Sequence, residues 1–77
     1  MNYPNGQKMK VGDKLRLWEG CVGEVVCSID DEEYSDKFTK KDWEYLGEGV
    51  LINTDIAGLI HYTEPESSFQ LMQRKRP

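Results

Sequence analysis

Val11-Gly12-Asp13-Lys14-Leu15-Arg16-Leu17-Trp18, continued by Glu19-Gly20-Cys21-Val22-Gly23-Glu24-Val25, is the stretch on which the fold turns. Leu15-Arg16-Leu17 alternates apolar and polar residues, the period of two that marks a half-buried strand. Gly12-Asp13 supplies a turn before it. Gly20 and Gly23 bracket Cys21-Val22, and Glu24-Val25-Val26-Cys27-Ser28-Ile29 runs on as a second strand, so the pair reads as a hairpin. Val25, Cys27 and Ile29 share one face at this period and are expected to point into the core. Glu24, Val26 and Ser28 share the other.

Downstream, Asp30-Asp31-Glu32-Glu33 ends the second strand, because adjacent carboxylates repel and have poor β propensity. Thr39, with Asp42 three residues on, resembles a helix N-cap with an acid in the first turn. Phe38, Trp43 and Leu46 would flank a short helical or 3-10 turn that Gly47 terminates. Three further strands are expected at Val50 to Asn53, Leu59 to Tyr62 and Phe69 to Met72, separated by Thr54 to Gly58 and by the Pro65 break. Upstream, Met1 to Lys10 has turn signals at Tyr3-Pro4-Asn5-Gly6 and no apolar period, so it reads as a flexible leader. The expected organisation is a leader over 1–10, a β domain over 11–72 and a basic tail over 73–77.

Five short strands, with one long loop between the second and third, are the parts of a mainly β, small closed barrel. Closure disposes of sheet edges that so small a chain could not otherwise cover. Leu15, Leu17, Val25, Cys27, Ile29, Val50, Ile52, Leu59, Ile60, Phe69 and Leu71 are its expected core. The run Val11-Gly12-Asp13-x-Leu15-x-Leu17-x-x-Gly20-x-x-Gly23-x-Val25 resembles the opening of SH3-like barrels of the KOW and translation-protein type. Gly58-Leu59-Ile60-His61-Tyr62, a polar break and Phe69-x-Leu71 resemble that family's last two strands around a 3-10 turn. The resemblance implies a five-stranded SH3-like barrel and nucleic-acid association. KOW-type domains that touch RNA are usually basic around the Gly corner, whereas this chain has Glu19 and Glu24 there.

The chain has 77 residues, 31% of them charged and 38% hydrophobic, with a net charge of −4. That length bounds it to one domain. Charge is unevenly placed: residues 1–18 carry +3, residues 19–36 carry −7, and Arg74-Lys75-Arg76 restores +3. The middle would repel phosphate, which disfavours nucleic acid. No run approaches the roughly 18 apolar residues that span a bilayer, and the N-terminus has no secretory pattern, which predicts a cytoplasmic chain without a membrane partner. Cys21 and Cys27 lie six positions apart, about 20 Å along a strand, too far for a disulfide, so free thiols are expected.

Catalytic signals are thin. His61 is the one histidine, and a Cys-His pair in so small a barrel has little cleft to exclude water. The two cysteines do not form a Cys-x-x-Cys pair for zinc. Asp30, Glu32, Tyr34 and Asp36 alternate as a calcium loop does, without its central Gly and closing Glu. No cofactor, no metal and no enzymatic activity are therefore expected.

Aromatic residues give the functional expectation. Trp18, Tyr34, Phe38, Trp43 and Tyr45 lie on or beside the loops flanking the second strand, where aromatics act either as interface anchors or as a lid on the core. With Asp30, Asp31, Glu32 and Glu33 they compose an acidic, aromatic loop suited to a basic or Pro-rich peptide. The leading expectation is a non-enzymatic module binding a protein or peptide through that loop. The alternatives are a nucleic-acid-associated KOW-like module using Lys8, Lys10, Lys14, Arg16 and the tail, and an acidic inhibitor or mimic presenting Asp30 to Asp36.

Overall fold

The structure, a computed structural model, describes residues 1–74. Lys75, Arg76 and Pro77 of the expected basic tail lie outside the described residues. The chain is mainly β: β1 (Lys14–Trp18), β2 (Cys21–Ser28), β3 (Glu33–Tyr34), a short helix α1 (Lys40–Trp43), β4 (Val50–Thr54), β5 (Leu59–Tyr62) and β6 (Gln70–Gln73). Single 3-10 turns occupy Ile29–Asp31 and Glu44–Leu46. The local signals act as chemistry dictates. Thr39 Oγ1 accepts the Asp42 amide at 3.4 Å, and Gly47 takes the positive φ that stops the second 3-10 turn.

All pairings are antiparallel, in one six-stranded sheet of order β5-β4-β2-β1-β6, with β3 beside the end of β2. The closed five-stranded barrel expected from the sequence is not what forms. The edges β5 and β6 exchange no ladder bonds. They are separated by the polar, exposed connection 63–68, which contains Pro65. What draws them together is side-chain packing: the Tyr62 and Phe69 rings meet edge to face, centroids 4.9 Å apart at 89°. Gly49 enters β4 at φ 90°, and a Cβ there would overlap the Tyr62 carbonyl, so only glycine admits the close approach of β4 to the end of β5.

Both faces of the sheet are used. Leu15, Leu17, Cys21, Val25, Val50, Ile52 and Phe69 fill the larger core on one side. On the other, Val26, Cys27, Ile29 and Leu51 are covered by Tyr34, Phe38, Trp43 and Leu46. The parity expected for β2 therefore breaks after Val25. Val25 pairs with Ile52 but Cys27 pairs with Leu51, two steps on β2 against one on β4. This β-bulge turns Cys27 and Ile29 to the opposite face from Val25. Leu59, expected in the core, is instead 43% exposed and pairs with exposed Asn53.

Residues 1–10 are also not a loose leader. Tyr3 and Met9 are buried in the larger core, and a small two-sided turn holds them, with Tyr3 N donating to Gln7 O and Met9 N to Met1 O. Two apolar anchors separated by a turn leave no periodic pattern, yet they cover the sheet face that no helix covers. Their fixed point is Asp13, wholly buried. It accepts the Tyr3 hydroxyl at 2.7 Å, the Lys10 amide at 3.0 Å and Arg74 Nε at 3.0 Å. Burial first, and then the Asp13 carboxylate, push the Tyr3 hydroxyl well above its ordinary pKa.

Candidate functional site

The acidic run is built into the fold. Asp30 accepts the Gly49 amide at 3.0 Å and lies 3.5 Å from the amino group of Met1. Asp31 accepts the Ser28 hydroxyl at 3.1 Å and pairs with Lys8 at 3.0 Å. Glu32 takes a left-handed conformation at φ 52° and pairs with Lys40 at 3.1 Å. Glu33 opposes Ser28 in β3, and its Oε1 is buried without a hydrogen-bond partner among the described residues. Three of the four carboxylates are thus engaged by cations or backbone of the same chain. Desolvation alone would raise Asp31, but the Lys8 and Ser28 hydrogen bonds and the nearby positive charges outweigh it and hold the carboxyl below its usual range.

The aromatics divide. Tyr34, Phe38 and Trp43 lie half-buried on the second core. Phe38 and Trp43 have centroids 5.8 Å apart, and Tyr45 stacks on Trp43 at 6.2 Å. Tyr45 is 74% exposed. Trp18, 40% exposed at the end of β1, belongs to neither group. The loop is therefore chiefly a lid, with Tyr45 as its one strongly exposed ring.

A different surface combines concavity with uncommitted charge. The lid covers the outer sheet face only at the Ser28–Val50 end, leaving the other end open. There the register lines up Leu59, Asn53, Glu24, Lys14 and Gln73 across five strands. Beside that row, Val22 opposes Arg16, and Arg16 opposes Gln70. A hollow of about 500 Å³ lies between Lys14, Val22, Glu24, Asp55 and Met72. A second lies among Gly12, Lys14, Glu24 and Gln73, and a third runs from Glu24 and Asn53 to Ser35 and Phe38 at the lid. All three border Glu24. None of the ion pairs among the described residues involves Glu24, Lys14 or Arg16. The Asp55 carboxylate accepts the Val22 amide at 3.2 Å and so stiffens the rim.

Sequence reasoning missed this surface although its parts were visible. Lys14 and Arg16 alternate outward on β1 and Glu24 outward on β2. Only the hairpin register shows that they converge.

The groups capable of nucleophilic or metal chemistry are dispersed. His61 Nε2 lies 2.7 Å from the Glu48 carbonyl oxygen. Cys21 and Cys27 are both free and buried, and burial pushes the Cys27 thiol up to about 11. Among the described residues no cluster of three His, Cys, Asp or Glu is placed to hold a metal. No helix among them is long and apolar enough to cross a membrane. Comparison with family models, with curated proteins and with solved structures returned no match to the chain.

Proposed function

We propose that the chain is a non-catalytic protein-interaction module, and that its contact surface is the open sheet face centred on Glu24. The carrying observation is the convergence of three hollows on one exposed carboxylate that forms no ion pair among the described residues. An anion bordering a concave, partly apolar surface suits the ammonium or guanidinium of a protein partner, with Val22 and Met72 as apolar flanks. Engagement of Asp30, Asp31 and Glu32 within the fold moves the anionic contribution from that run to Glu24. The lid aromatics border the face at one end through Phe38. Pairing of Lys8 with Asp31 and of Arg74 with Asp13 removes two cations from a nucleic-acid contact, while Lys14 and Arg16 on this face stay unpaired among the described residues.

Titration of dilute isotopically labelled chain with a Lys/Arg-rich peptide, a Glu-rich peptide and a single-stranded RNA tests this. The basic peptide should shift the amides of Val22, Glu24 and Asn53, weaken with salt, and lose its effect in Glu24→Gln. Shifts elsewhere, or RNA binding that survives Glu24→Gln, would refute the reading.

A further inference from the structure

We infer that a second copy of this chain occupies the Glu24 face, the two sheets stacked about a two-fold axis parallel to their strands. This rests on reading that face as an interaction surface and names its occupant.

The argument begins with register. Lys14 of β1 stands opposite Glu24 of β2, and Arg16 opposite Val22. Cations therefore line β1, while Glu24 and Asp55 lie on the β2 and β4 side. Lys14 and Glu24 of one chain do not close to ion-pair distance. A two-fold axis along the strands, between β1 and β2, exchanges those strands in the facing copy. Each Lys14 then stands over the Glu24 of the other chain, and each Arg16 over Val22 beside Asp55. Facing sheets pack about 10 Å apart, a gap that a lysine and a glutamate reaching towards one another span.

An isologous contact needs a self-complementary patch, and this one is. Lys14, Arg16, Glu24 and Asp55 sum to zero, whereas the whole chain carries −4. Two copies repel one another over most of their surface, and the balanced face is where that repulsion is relieved. Val22, 39% exposed, and Met72, 60% exposed, supply apolar area between the charges. The lid covers one end of this sheet face, so the contact is confined to the open end and falls below the roughly 800 Å² per partner of a standard interface; association is weak and concentration-dependent.

Sedimentation of the wild-type chain at up to about 1 mM should show mass rising from 8.9 kDa towards twice that value, less so at high salt. K14E and E24K should each remain monomeric and folded by amide spectra. An equimolar mixture of the two should associate, because one presents only acids and the other only bases at the crossing. Val22→Asp, at an exposed strand position, should also remain monomeric. A wild-type chain that stays monomeric, or a K14E and E24K mixture that does not associate, overturns the dimer. The interaction-module reading then stands or falls on the basic-peptide titration of dilute chain, which needs no second copy.

Discussion

Arg74 closes on Asp13 across 61 positions of sequence, its Nε 3.0 Å from Oδ1 and its guanidinium also donating to the Lys8 carbonyl at 2.7 Å. Asp13 is fully buried, while the Arg74 side chain is 37% exposed. The carboxylate thus ties the N-terminal stretch, through Tyr3 and Lys10, to Arg74 at one desolvated point. Asp13→Ala should cost about 3 kcal/mol or more, since it strands the Tyr3 hydroxyl and the Lys10 amide beside a guanidinium that has lost its counter-charge. Tyr3→Phe should cost about 1 kcal/mol. Urea denaturation measures both, and equal, small losses would show that the hub is not a unit.

Phe38 and Trp43 pack over Val26, Cys27, Ile29 and Leu51, whereas Tyr45 is largely in solvent. Trp43→Ala should lower stability by about 2–3 kcal/mol, short of the full loss for a wholly buried aromatic. Tyr45→Ala should stay within about 0.5 kcal/mol. Thermal unfolding of the two variants separates lid from surface. A destabilising Tyr45→Ala would mean that the 74% exposed ring holds the lid after all.

The thiols imply an alkaline limit. Cys27, pushed by burial to about 11, favours its neutral form in the folded chain. Its ordinary value, which the unfolded chain adopts, is near 8.5. The stabilisation is therefore complete below about 8.5 and lost as pH rises through about 11. Cys27→Ser should flatten that fall, and iodoacetamide at neutral pH should label Cys27 only on unfolding. Rapid labelling of the native chain would contradict the burial.

Asp31 implies an acid limit of opposite sign. Its carboxyl sits below the usual range in the folded chain, so the stability it contributes is present above about pH 4 and lost as pH falls through the depressed folded value. Lys8→Met should shrink this acid-dependent loss by removing the principal hydrogen-bond donor and charge. An unchanged acid midpoint in Lys8→Met would show that the pair contributes nothing.

Much of the scaffold is legible from residue order. Leu15-Arg16-Leu17, the Gly20 turn and the apolar Val50 to Ile52 run each place a strand, because period-two burial, glycine turns and β-branched apolar runs are local properties. Gly23, expected in the connection, lies instead inside β2 opposite Leu15. Thr39, Asp42 and Gly47 delimit the helical turn for the same reason. What escaped is what depends on pairing. The bulge after Val25 reverses a parity that alternation extends unbroken to Ile29. Tyr3 and Met9 are core residues without a pattern, recruited because one sheet face lacks other cover. Asp30, Asp31 and Glu32 look like a solvated charge run until Gly49, Lys8 and Lys40 arrive from distant positions. Glu24 was visible as an outward acid, but its place at the meeting of three hollows follows from register alone.

The antiparallel pairing of β1 with β6 also carries a kinetic consequence. Until Gln70 to Gln73 docks, β1 has one bare edge, and Asp13 awaits the guanidinium that completes its shell. Closing that span costs loop entropy before any contact repays it, so folding should be slow for the chain's length and limited by this late encounter. Partly folded molecules would expose an unpaired β1 edge during that wait, which makes delayed docking of the last described strand the point most open to mispairing between chains.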